Sequence, residues 1–216
     1  MEGVGGSSPL TSTKNLGTFM SEDYSPFSFD IDAKKPEYLK ILDENGVPTG
    51  ELMDRREVHR LGKFHAATLI LIFDSSGRLL MQQRAHNKDK FPDMWDVSIA
   101  CHVLHNELPL NAGFREAMEE LNFSIDKKIR LSDFVHVGTF VDKRKISDDF
   151  IENQFYNVYA LRDYDAATCV ALDFTDKEVQ ACEYKTYGEV IELLKSGQMH
   201  PRNQWFPLYK DFLALI

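Results

Sequence analysis

The sequence predicts an α/β fold in which a mixed β-sheet lies between helical layers. Three observations carry that prediction. Short apolar or alternating segments stand on both sides of one central helical stretch, that stretch has an apolar and an acidic face, and two helical segments close the chain. The composition, 216 residues with 43% hydrophobic and 27% charged, suits one compact domain with extensions.

In chain order, residues 1–36 carry GVGGSSP and then scattered Ser, Thr, Asp and aromatics without a sustained period. They read as an extension, either a mobile tail or a segment whose Tyr24, Phe27 and Phe29 dock on a groove. The domain proper is expected over residues 37–216. Tyr38 to Asp43 is a strand closed by the turn signal Glu44-Asn45-Gly46. His65 to Asp74 is a strongly apolar strand, and Ser75-Ser76-Gly77 turns it into Arg78 to Arg84, which predicts a β-hairpin. Trp95 to Ala100 is a strand that leads into the helical stretch. After it, Phe134 to Val141 and Gln154 to Leu161 alternate as strands, Glu178 to Glu183 is a short strand, and Tyr187 to Ser196 and Trp205 to Leu215 are helices.

The central stretch runs from Cys101 to Phe123, CHVLHNELPLNAGFREAMEELNF. At about 100° per residue, Glu116, Glu119 and Glu120 share one side of a helix, while Leu110, Phe114, Ala117, Met118 and Leu121 share the other. Carboxylates at helical neighbour spacing repel by a few tenths of a kcal/mol per pair. Such a cluster of oxygen ligands suits a hard divalent cation, Mg²⁺ or Mn²⁺.

Whole-chain properties exclude several classes. A formal net charge of -9 argues against a nucleic-acid polymer as partner. The three cysteines, Cys101, Cys169 and Cys182, are odd in number and widely spaced, so no disulfide framework is expected. There is no apolar run of about 18 residues for a membrane span and no secretory signal, which makes the cytoplasm the expected compartment.

The charged residues Glu107, Arg115-Glu116 and Glu119-Glu120, with Phe123 following, resemble the signature of the Nudix hydrolases, G-x5-E-x7-R-E-U-x-E-E-x-G-U. Every charged residue is in register. Cys101 and Asn122 stand where the pattern has glycine. Asn122 suits a left-handed helix cap, whereas Cys101 occupies a place where glycine would serve an unusual backbone angle or a close approach to the metal. The resemblance implies an α/β/α sandwich over roughly residues 37–216.

Asn45 to Gly50, His59, His65, Arg84, Lys88, Pro92, Trp95 and His102 further resemble the isopentenyl-diphosphate isomerase branch of that superfamily, which shifts a proton on a diphosphate substrate. Its mechanism uses a cysteine in a C-G-H triplet and a glutamate in an E-N-E triplet. Here the triplets are Ala100-Cys101-His102 and Glu152-Asn153-Gln154. An amide cannot exchange a proton as a carboxylate does, so isomerisation is disfavoured. The resemblance therefore implies a metal-dependent hydrolase of a diphosphate linked to another moiety. Glu116, Glu119 and Glu120 would bind the metal, and Glu119 or Glu120 would take a proton from water. Glu107 and Arg115 would form an internal ion pair, and Arg84 and Lys88 would hold the diphosphate. His59, His65 and His102, with Glu152, match most of the isomerases' metal site, and the three histidines read either as a second site for Zn²⁺ or Mn²⁺ or as packing and hydrogen-bonding residues. Glu178 matches a position often acidic in the superfamily and reads as a structural residue at a strand end rather than a catalytic base. Isomerase-like activity and a non-catalytic diphosphate-binding module are the alternative readings. Recognition of the attached group is expected in loops at Val141 to Ile151 and Gln198 to Trp205.

Overall fold

The structure, a computed structural model, describes residues 36–121, 129–164, 178–202 and 204–213. The expected N-terminal extension up to residue 35, Asn122, Phe123, Cys169 and the end of the last helix lie outside the described residues.

The fold begins with an antiparallel pair, β1 (Tyr38–Leu42) and β2 (Pro48–Asp54), followed by a short helix α1 (Arg55–Leu61). The sequence reading assigned neither β2 nor α1. β2 is almost wholly exposed, so no apolar alternation betrays it. α1 is only two turns long, but both of its ends are specified. Asp54 caps the N-terminus by accepting from Arg56 N, and Gly62 takes the left-handed conformation, φ 61°, at the C-terminus.

The chain continues through β3 (His65–Ile72), β4 (Leu79–Arg84), β5 (Trp95–Asp96), β6 (Ile99–His102), α2 (Pro109–Leu121), β7 (Phe134–Ser147), β8 (Phe150–Leu161), β9 (Val179–Lys185), α3 (Tyr187–Lys195) and α4 (Phe206–Leu213). One sheet has the order β6-β3-β8-β7 and is mixed, because β3 runs parallel to β8 and antiparallel to β6. A second sheet, β5-β4-β9, is antiparallel.

The predicted β3–β4 hairpin does not form. The turn at Ser75 to Gly77 is present, but the arms meet only at its base, through Asp74 N donating to Arg78 O at 3.0 Å and the bridge of Phe73 to Leu79. β3 has both edges hydrogen-bonded, one to β6 and one to β8, so β4 finds its partners in the other sheet. The segment 141–151 is likewise not a loop. β7 and β8 pair from Phe134↔Leu161 to Ser147↔Phe150, with register shifts at His136/Gly138 and Lys145/Ser147 and with charged and amide side chains facing one another along the outer half.

β3 is the centre of the packing, buried along nearly its whole length as a strand covered on both faces must be. Ala67, Leu69 and Leu71 join a core with Val158 and Ala160 of β8, Val190 of α3, and Trp205, Tyr209 and Phe212 in and beside α4. Ile70 and Ile72 point the other way, into a core with Ala117, Leu110, Phe114 and Met118 of α2. The sheet thus lies between α2 on one face and α3 with α4 on the other, an α/β/α sandwich. Gly113 permits the close seat of α2, since a Cβ there would stand 2.7 Å from Ile70 Cδ1. Among the described residues no helix is long and apolar enough to cross a membrane.

Candidate functional site

On α2 the apolar stripe fixes which way the acidic residues turn. Glu120 is buried and accepts from the buried amide of Gln82 on β4, Nε2 to Oε2 3.1 Å. Glu116 is mostly buried and accepts from Arg115, while the Glu119 side chain is half exposed. Burial raises the pKa of both Glu116 and Glu120, and further charge repulsion adds to it, from Glu119 on Glu116 and from Glu116 on Glu120. The Glu178 carboxylate acts on both in the same sense, which draws this residue into the acidic group beside Lys88, its ion-pair partner. Nothing in the linear pattern shows that β9 runs beside β4, so from sequence alone Glu178 is a strand-end residue.

Arg115 ties the loop before α2 to the helix. Its Nε donates to Glu107 Oε1 at 2.7 Å and its Nη1 to Glu116 Oε2 at 2.8 Å and Glu119 Oε2 at 3.0 Å. Glu107 also accepts from the Leu104 backbone N–H, so one carboxylate closes the turn. Cys101 of β6 pairs regularly with Thr68 of β3 and packs in a buried cluster with Val103 and Ala112. Its backbone is ordinary strand, absent from the positive-φ residues, so the glycine-only angle expected from the motif is not required here. Burial and the nearby Glu116 push its pKa well up and keep it a thiol.

Neither proposed phosphate-binding cation is bare. Arg84 is largely buried and donates to the carbonyls of Phe91 at 3.1 Å and Lys90 at 3.0 Å, with Asp96 at 3.9 Å. It therefore clamps a loop in which Phe91 and Asp93 hold positive φ, 52° and 61°. Lys88 pairs with Glu178. A cavity of about 390 Å³ beside the start of α2 is lined by Glu107, Leu108, Phe155 and Asn157 among others, but by none of the acidic trio, Arg84, Lys88 or the histidines.

The histidines converge on the other face of the sheet. His59 from α1, His65 from β3 and His102 from β6 bring one ring nitrogen each within 4.8 Å of one another. His59 Nδ1 lies 3.2 Å from the Ile151 carbonyl and His65 Nδ1 lies 3.0 Å from that of Lys63. Donation to those carbonyls leaves a lone pair on each Nε2. The Gln154 amide stands 3.1 Å from both His65 Nε2 and His102 Nε2, yet His59 Nε2 is 3.0 Å from His102 Nε2. With neutral rings, either orientation of the amide leaves one pair of like groups in contact. Burial holds the rings neutral, lowering His59 to about 4 and His65 to about 3. A cation among the three nitrogens would remove the conflict, and the donor set suits a borderline ion such as Zn²⁺. Glu152 is not in this group. It is paired with Arg144, which also donates to the fully buried Asp142.

Residues 63–208 match the family model of the NUDIX domain, more than half of the chain. The chain belongs to the Nudix family. Nudix hydrolase 3 of Arabidopsis thaliana is 32% identical over 160 residues, which is 73% of this chain but 20% of that protein. An isopentenyl-diphosphate Delta-isomerase of Serratia proteamaculans is 33% identical over 123 residues, 57% of this chain and 64% of the relative. The chain thus spans less than two thirds of either. An uncharacterised Nudix hydrolase of Listeria monocytogenes is 37% identical over 171 residues, 78% of this chain and 92% of that protein. Among solved structures, a Deinococcus radiodurans protein shares the fold with a TM-score of 0.60 at 22% identity, covering 81% of this chain and 98% of its own. Within this Nudix fold the motif carboxylates and the histidines occupy opposite faces of one sheet.

Proposed function

We propose that this Nudix protein is a metal-dependent hydrolase of a diphosphate linked to another moiety, with Glu116, Glu119 and Glu120 binding Mg²⁺ or Mn²⁺. The observation that supports it most is the helix face that carries Glu120, buried, and Glu116, mostly buried, with burial and mutual repulsion raising the pKa of both and Glu178 adding to it. Like charges held together out of water are costly unless a cation joins them. When bound, the ion supplies charge neutralisation at phosphate and lowers the pKa of water. The chain's own residues do the rest. Arg115 holds Glu107 and Glu116, which keeps the loop and the helix in one frame. Glu119 or Glu120 takes the proton from the attacking water, and of the two Glu119 is half exposed. Lys88 and Arg84 meet the diphosphate by exchanging their internal partners for phosphate oxygens.

Two observations favour hydrolysis over isomerisation. Gln154 is fixed by His65, His102 and Tyr156 and carries no exchangeable carboxyl proton. Ala100 packs its methyl against the apolar core. The three histidines form a second cation site in this reading, for Zn²⁺ or Mn²⁺, without Glu152. The reading is tested by incubating the wild type and Glu120→Gln with Mg²⁺ or Mn²⁺ and a panel of diphosphates that includes isopentenyl diphosphate. The wild type should release a phosphate product, and the variant should lose on the order of a hundredfold in turnover. An allylic product, or turnover equal in both proteins, would refute it.

A further inference from the structure

Gln82 on β4 is the buried polar side chain next to the acidic group that the hydrolytic reading leaves unused. It is 3% exposed. Its Nε2 donates to Glu120 Oε2 at 3.1 Å, while its Oε1 is buried and has no hydrogen-bond partner among the described residues. An unpaired buried amide oxygen costs about 1–3 kcal/mol, and folded proteins keep few of them. The position is not loosely built, because the backbone of Gln82 is paired on both sides, to Asp96 of β5 and to Cys182 of β9. The amide is therefore held with its donor end on a carboxylate and its acceptor end waiting for a donor.

A hydrated divalent cation supplies what both ends lack. The ion engages the carboxylate, and its remaining water ligands bring O–H donors to the same place. Mg²⁺ in particular keeps several waters when proteins bind it. We propose that Gln82 is a positioning residue of the cation site, its Nε2 orienting Glu120 and its Oε1 accepting from the ion's hydration shell. The inference rests on Glu120 being a metal ligand. A methyl-bearing residue of the same length could do neither task, and a lysine would set a competing charge beside the ion. Outer groups that orient metal ligands typically change affinity by about 10–100-fold when lost.

The test is a Mn²⁺ titration of the full-length chain, stripped of metal and then given one equivalent of Zn²⁺ to occupy the histidine site, with free Mn²⁺ followed by electron paramagnetic resonance, on four proteins: wild type, Glu120→Gln, Gln82→Met and Gln82→Glu. Glu120→Gln should weaken binding sharply. Gln82→Met should raise Kd by about tenfold. Gln82→Glu should bind as tightly as the wild type or more so, because its carboxyl keeps both tasks when protonated, donating to Glu120 and accepting from the hydration shell, and when ionised becomes a further oxygen ligand of the cation. That rescue separates positioning from mere packing, to which the two variants would respond alike. Unchanged binding in Glu120→Gln overturns the metal assignment and this inference with it. Weakened binding in Glu120→Gln, with Gln82→Met within about twofold of wild type, overturns the inference alone. Should Gln82→Met fail to fold, a Kd raised about tenfold in Gln82→Glu does the same.

Discussion

Replacing Gly113 by alanine sets two opposed effects of comparable size against each other. The new Cβ would lie 2.7 Å from Ile70 Cδ1, 2.9 Å from Thr68 Cγ2 and 3.0 Å from Ile70 Cγ1, where carbon atoms prefer about 3.5–4.0 Å. Neither neighbour can swing clear. Both are fully buried, and the Thr68 hydroxyl is tied to the Pro109 carbonyl at 2.7 Å. Forcing an extra carbon into such a core costs about 1–3 kcal/mol, while exchanging glycine for alanine inside a helix returns about 1 kcal/mol. The net expectation is a loss of about 1 kcal/mol, or about 2–4 °C in Tm for a domain of this size. Gly188 near the start of α3 is the matched control, because the nearest atom to its new Cβ is Thr186 Oγ1 at 4.0 Å. There the same change should stabilise by about 0.4–1 kcal/mol. Paired thermal melts of the metal-free proteins should therefore move in opposite directions. A Gly113→Ala protein that melts higher, in step with Gly188→Ala, would refute the claim that α2 is pinned on β3.

Two further outcomes follow from the charged interior. Arg144→Met should cost about 3–5 kcal/mol, since it strips the guanidinium from fully buried Asp142 and from Glu152; a urea midpoint showing a loss under about 1 kcal/mol would contradict it. Glu120→Gln should stabilise the metal-free protein at pH 8, with the advantage vanishing as pH falls into the ordinary carboxylate range. The reason is that burial and Glu116 raise the Glu120 pKa, so the wild type loses stability as pH rises through that range and up to the folded value. The histidines act in the opposite sense. Lowered to about 4 for His59 and about 3 for His65, they contribute stability that is present above pH 6.5 and lost as pH falls toward those values. Urea unfolding of both proteins from pH 8 to 4 reads the two trends, and an advantage of Glu120→Gln that persists unchanged at pH 4 would contradict the first.

What was legible in the sequence divides along a physical line. The α2 stripe and the long apolar run of β3 announce themselves, because burial imposes a period on adjacent residues. Partnership between distant strands leaves no such trace. The turn at Ser75 to Gly77 looks like a hairpin turn, yet which edge β4 joins depends on β6 and β8 having already taken both edges of β3. The charged outer half of β7 and β8 reads as loop because its stabilising pairs, such as Arg144 with Glu152, are cross-strand. Gln82 carries no signal in the linear pattern, and Glu178 reads there only as a strand-end residue, for a related reason. Each lies far along the chain from the motif and enters the acidic group only through the β4–β9 pairing. α1, by contrast, was readable from Asp54, Glu57 and Gly62, a capping pattern that short helices depend on more than on any apolar stripe.

The central sheet also gives the chain a rule of parity. Along β6, Cys101 looks toward α2 and the acidic group, whereas its neighbour His102 belongs to the histidine cluster. Along β8, Glu152, Gln154 and Tyr156 share the histidine face of the sheet, whereas Phe155 and Asn157 turn to the opposite face. Moving one position along either strand changes which centre a substitution edits. Two chemistries can therefore drift independently within the same few residues, one losing its groups while its neighbour keeps them. Ala100 and Gln154, both on the histidine side, stand across the sheet from an acidic motif in which every charge has been retained.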